Sequence, residues 1–128
     1  MHTITVVPLG PGHRDLLTLG AWKQMQKAGF LVLRTARHGA AKMLEEEGLA
    51  FESLDTLYEA YDDFDAFARA AAERVATWAQ KRAVTYAVPD PARDETVRVL
   101  REMAGERLRV LPGVPLENPM TSQVWTDG

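Results

Sequence analysis

The sequence predicts an α/β protein: a five-stranded parallel sheet flanked by helices. Three observations lead there. Short apolar runs recur without polar alternation, as in strands buried on both faces. Segments of helical period separate them, giving the order βαβαβαβαβ. Finally, glycines and prolines follow four of the strands, where a parallel sheet turns back through a crossover.

Ile4-Thr5-Val6-Val7-Pro8-Leu9 opens the chain as a strand and breaks into Gly10-Pro11-Gly12. Asp15 then starts a helix expected to reach Ala28, with Leu19, Trp22 and Met25 facing the sheet and Gly29 as its stop. Phe30 to Leu33 is the second strand, followed by the loop Arg34-Thr35-Ala36-Arg37-His38-Gly39. A helix from Ala40 to Glu47 stops at Gly48, and Leu49 to Leu54 is a weaker third strand. Asp55 to Tyr61 reads as a loop or irregular helical turn.

The longest helix runs to about Gln80 behind Asp62, Asp63 and Asp65, acids that suit a helix N-terminus. Its apolar stripe is Phe64, Phe67, Ala68, Ala71, Val75, Trp78 and Ala79. Ala83 to Val88 is the fourth strand and Pro89-Asp90-Pro91 its terminating loop. A helix from Arg93 to Ala104 has Val97, Leu100 and Ala104 inward and stops at Gly105. Leu108 to Leu111 is the fifth strand, ending at Pro112-Gly113-Val114. Residues 1–114 thus make one domain, and 115–128 an irregular tail, either a linker to a second domain or an ordered arm.

Right-handed crossovers set the loops at Leu9, Arg34, Pro89 and Pro112 on one sheet edge, where open α/β sheets bind ligands. The chain holds 15 Lys plus Arg against 18 Asp plus Glu, a net charge of −3. This mild acidity speaks against nucleic acid as a partner. Cysteine is absent, which removes disulfides, thiolate metal sites and a cysteine nucleophile. His2, His13 and His38 lack metal-ligand spacing, so no metal site is expected. Ser53 and Ser122 lie outside any G-x-S-x-G, and neither a P-loop nor a G-x-G-x-x-G occurs. Nothing marks a catalytic nucleophile or acid–base pair. Neither a signal peptide nor a membrane-spanning stretch is evident, so a cytoplasmic protein is expected. Asp90, set between two prolines, faces a ligand or caps the following helix.

Three segments resemble the tetrapyrrole methylase family, S-adenosylmethionine-dependent enzymes acting on corrinoid and porphyrinoid precursors. They are Thr5 to Leu19; Leu33 to His38 with Phe51 to Tyr58; and Tyr86 to Pro91 with Val110 to Val114. The second is similar in particular to the methylase-like domain fused to MazG-type nucleoside triphosphate pyrophosphohydrolases. The resemblance implies the first domain of the methylase fold and a methyltransferase activity on tetrapyrrole-like substrates. It implies S-adenosylmethionine bordered by Leu9, Gly10, Pro89, Asp90, Pro115 and Leu116, with Pro11 and Gly12 beside a substrate; Arg34 and His38, by their place in the second loop, face that substrate or belong to a solvated basic turn. It also implies a second α/β domain that closes the cleft; a MazG-type domain is the other candidate partner. A lone first domain should pair its uncovered apolar face in a homodimer. Pro8, His13-Arg14, Pro89 and Pro115 depart from the family pattern. These departures keep open an alternative, a non-catalytic binding or regulatory module that retains the fold.

Overall fold

The computed structural model describes residues 1–12 and 17–113. Five parallel strands form one sheet in the order β3-β2-β4-β1-β5. In chain order they are β1 (Ile4–Pro8), β2 (Leu31–Leu33), β3 (Glu52–Ser53), β4 (Val84–Val88) and β5 (Leu108–Val110). Between them run α1 (Leu19–Lys27), α2 (Gly39–Glu46), α3 (Asp55–Ala60), α4 (Phe64–Ala79) and α5 (Glu95–Ala104). A 3-10 turn, Gly105–Arg107, leads into β5.

The expected α/β architecture is therefore present, with several local corrections. α1 starts after Thr18, whose side-chain oxygen accepts from the Ala21 amide, instead of at Asp15, which lies outside the described residues. Met25 is buried and Trp22 packs against the same core, as expected, joined by Ala21, but Leu19 in the first turn is 65% exposed and not on the sheet. Ala28, in extended conformation, ends α1, and Gly29 does not take the left-handed form expected of a stop. β3 keeps only two residues, because as the edge strand it has β2 alone to pair with. The segment after it, expected as a loop or an irregular helical turn, is a short helix, α3, so the described residues hold five α-helices where four helical segments were expected. In α4, Phe64 stands 49% exposed, while Ala72 and Ala76 join the buried stripe.

Two cores form, one on each face. Ile4, Val6, Val32, Val84, Tyr86 and Val88 pack against Phe67, Ala71, Ala72 and Val75 of α4 and Val97 and Leu100 of α5. The four alanines at 68, 71, 72 and 76 let α4 lie close to its neighbours. On the other face, Val7, Leu9, Leu31, Leu33 and Ala87 pack against Ala21 and Met25 of α1 and Ala40, Ala41 and Leu44 of α2. Every residue of β1 and β4 is buried, which is why their sequences run apolar without alternation.

Pro8 sits inside this central ladder, where a missing N–H normally costs a bond. The Leu9 amide donates to Val88 O of β4, so the nitrogen of residue 8 points the opposite way, toward β5. β5 pairs with β1 only as far as Val6, and its last bond runs from the Leu111 amide to Val6 O. Residue 8 therefore lies beyond the ladder on that side. Proline costs no hydrogen bond there.

The two inward phases give a direct check. Leu100→Ala, at a fully buried position, is expected to lower the unfolding free energy by about 2–5 kcal/mol. Leu19→Ala should change it by less than about 0.5 kcal/mol. Urea denaturation of both variants measures the contrast, and a large Leu19 effect would contradict the exposed phase of α1.

Candidate functional site

The parallel arrangement gathers the loops after β1, β2, β4 and β5 on one edge. Connections leave the adjacent strands β2 and β4 toward opposite faces: α2 packs with the core around Val7 and Leu33, α5 with that around Tyr86. That divergence opens a crevice at the strands' carboxyl ends.

Direct bonds join the loops. Gly10, at φ +67°, donates its amide to Pro89 O at 3.0 Å, so the loops after β1 and β4 form one surface. The Gly10 carbonyl lies 2.8 Å from His38 Nε2, which brings in the loop after β2. The turn at Gly12 packs on Gly39, where an added Cβ would sit 2.9 Å from Gly12 O. At Gly113 a Cβ would meet the Pro8 ring at 2.9 Å, so the turn after β5 seats against the end of β1. Leu9, Gly10, Pro11, Gly12, Pro89 and Asp90 thus share one stretch of edge with His38. Pro115 and Leu116 lie outside the described residues.

Several predicted site residues have partners within the chain. The Asp90 carboxylate, its side chain 45% exposed, accepts from the Ala92 amide at 3.2 Å and lies 3.7 Å from Arg93 Nε. It therefore shapes its own turn, while the cap of α5 is Asp94, whose carboxylate accepts from the Val97 amide. Arg34, expected to face a ligand, turns inward. Its Nε lies 3.4 Å from Asp94 Oδ2, and its guanidinium sits 5.6 to 5.7 Å from the ring centres of Tyr58, Phe64 and Phe67. Arg37 pairs at the surface with Glu59.

Beneath the crevice is a polar group that the sequence reading missed. Tyr86 and Thr96 are buried, and neither hydroxyl has an aligned hydrogen-bond partner among the described residues. Burial, reinforced by the negative charge of Asp94, pushes the Tyr86 phenol far up, so it stays protonated. Burial also raises the Asp94 carboxyl above the usual range, outweighing the Arg34 charge and the bonds it accepts. A tyrosine in the middle of a fully buried strand, four residues before a proline-flanked Asp, was the available signal.

Asp55 braces the loop after β2. Its carboxylate accepts from the Thr35 hydroxyl at 2.5 Å, the Ala36 amide at 2.9 Å and the Ser53 hydroxyl at 3.2 Å. Partial burial works to raise this carboxyl, but those three bonds and the Arg37 charge together hold it below the usual range. A depressed carboxyl stabilises the fold above its unfolded value and loses that contribution as pH falls through the folded one. Asp55→Ala removes the acceptor of three hydrogen bonds at a partly exposed site and should cost about 1 kcal/mol at neutral pH. The gap from the parent should close on acidification below the normal aspartate range. Urea denaturation of both proteins across pH measures it; a constant gap would contradict the brace.

Among the described residues no helix is long and apolar enough to cross a membrane, and no group of three or more His, Asp or Glu is placed to hold a metal. Comparison with known proteins adds two findings. The chain is 38% identical over 101 residues to the uncharacterized protein YabN of Bacillus subtilis (strain 168). That match covers 77% of this chain and 21% of the relative, so the chain spans about a fifth of that protein's length. The sequence profile of the Tetrapyrrole (Corrin/Porphyrin) Methylases matches residues 3–124. With that match over nearly its whole length, on a five-stranded parallel sheet, the chain belongs to the tetrapyrrole methylase family.

Proposed function

We propose that this chain supplies the donor-binding wall of an S-adenosylmethionine-dependent methyltransferase, completed by a second domain. The observation that carries this reading is the bonded junction of the loops after β1 and β4, Gly10 N–H to Pro89 O, on the carboxyl edge of the sheet. That edge fits a nucleoside cofactor. Gly10 and Gly12 expose backbone without side chains, and the half-exposed Asp90 carboxylate is an acceptor suited to ribose hydroxyls. Leu9, Gly10, Pro89 and Asp90 would hold the cofactor, with Pro115 and Leu116 extending the wall. Bound there, it supplies an electrophilic methyl group on a sulfonium.

The chain's part in this chemistry is positional. Leu9, Gly10, Pro89 and Asp90 would fix the donor's orientation, and Pro11 and Gly12 would set the side from which an acceptor approaches it. Alignment of donor and acceptor provides most of the acceleration, and rigid backbone loops can impose it. The acceptor class is tetrapyrrole-like by family. Pro11 and Gly12 lie beside the donor wall and would border that acceptor. The second α/β domain, a MazG-type domain and a second copy of this chain are the partners this reading supplies for the open edge.

A non-catalytic binding module is the second reading, and one observation favours it. Arg34 and both ring nitrogens of His38, the polar groups expected to meet an acceptor, are engaged inside the chain. Titration calorimetry with S-adenosylhomocysteine tests the donor wall. Micromolar binding by this chain is expected if the wall is complete in itself. Absence of binding both by this chain and by a longer form carrying the second domain would overturn the methylase reading.

A further inference from the structure

We infer that His38 is a positioning residue for the donor loop: in one neutral tautomer, its ring clamps the Gly10 carbonyl to the first turn of α2. This rests on the reading of residues 9–12 as part of the donor wall.

The ring's partners assign its state. Nδ1 accepts from the Ala40 amide at 3.0 Å, which requires that Nδ1 carry no proton. The single hydrogen of a neutral imidazole then resides on Nε2, and Nε2 lies 2.8 Å from the Gly10 carbonyl oxygen, a group that can only accept. The other neutral tautomer would break both bonds. An imidazolium would set N–H against N–H at Ala40.

Gly10 is the residue that most needs such a clamp. At φ +67° it carries the loop out of β1, and its amide is bonded across to Pro89 O. The ring takes the carbonyl of the same residue, so Gly10 is tied to the loop after β4 through its nitrogen and to the loop after β2 through its oxygen. Gly12 completes the seat. A Cβ there would lie 3.5 Å from His38 Cε1, and the Gly12 backbone packs against Gly39. The side chain of His38 thus serves two structures at once, as N-cap of α2 and as anchor of the donor loop. A loop ordered beforehand in this way binds ligand without a further ordering cost.

Two substitutions separate the roles. Asn overlays Nδ1 and preserves the cap; Gln overlays Nε2 and preserves the clamp. Long-range proton–nitrogen NMR on the histidine-labelled chain should show His38 protonated at Nε2 and bare at Nδ1. In His38→Asn the Gly10 amide should exchange about tenfold faster while Ala40 keeps its protection, because one hydrogen bond is lost locally. His38→Gln should restore the Gly10 rate. A mixed or Nδ1-protonated tautomer, unchanged Gly10 exchange in His38→Asn, or equal acceleration at Ala40 would each overturn the clamp. S-adenosylhomocysteine separates the two claims. If the parent binds it, His38→Asn should bind about tenfold more weakly, and equal affinity would overturn the positioning role. If neither this chain nor a longer form binds it, the donor-wall reading fails, and the tautomer and exchange data still decide the clamp.

Discussion

The pairing of β1 with β4 is the constraint on which the rest of the molecule depends. Its register runs from Ile4 opposite Val84 to Pro8 opposite Val88, and both strands are buried on both faces. A one-residue slip would exchange the side chains meant for α4 and α5 with those meant for α1 and α2. The pairing also continues past the strands, through the bonds from Leu9 to Val88 and from Gly10 to Pro89. The loops of the candidate site are thus the last rungs of the central ladder. Their geometry is inherited from the core, and a core substitution that shifts the ladder would shift the site with it.

The Arg34–Asp94 pair ties the same edge to the opposite face. A buried ion pair gains little net stability, since desolvation offsets most of the attraction. Here burial even raises the Asp94 carboxyl despite its partner. What the pair provides is placement. Asp94 fixes the first turn of α5, and Arg34, held among three aromatic rings, fixes the start of the loop after β2. Removing Arg34 would leave the Asp94 carboxylate, its side chain 4% exposed, without a counter-ion, so the pair resists loss of the arginine alone.

How much of this was legible in the sequence follows from where local pattern decides structure. Continuous apolar runs identified β1, β2 and β4, because burial on both faces writes itself into every position. The stops at Gly48 and Gly105 were readable too, since both glycines take positive φ. The errors share a cause. Asp15 is a residue type suited to a helix start, but Thr18 caps α1, and Leu19 in its first turn is exposed while Trp22 and Met25 keep their place on the core. Gly29 and Asp90 carried the right residue types for a stop and a cap, yet their neighbours Ala28 and Asp94 took those roles. Arg34 and His38 stand on the predicted edge, but whether a polar side chain faces outward depends on partners distant in sequence. Asp94 and Gly10 cannot be seen from positions 34 and 38.

That inward turn of the polar residues bears on what kind of chemistry the edge can support. A hydrolase or an acid–base enzyme needs a titratable group presented to its substrate; here Arg34 pairs with Asp94, and His38 and Asp55 are bonded to backbone amides, a carbonyl and hydroxyls of the loops. The methyl transfer proposed above would ask for less of the side chains, because a sulfonium donor would arrive already activated. Held backbone is sufficient for such a task. What keeps the backbone of this edge in place is Asp55 under the loop after β2, His38 between that loop and Gly10, and the missing Cβ atoms of Gly39 and Gly113.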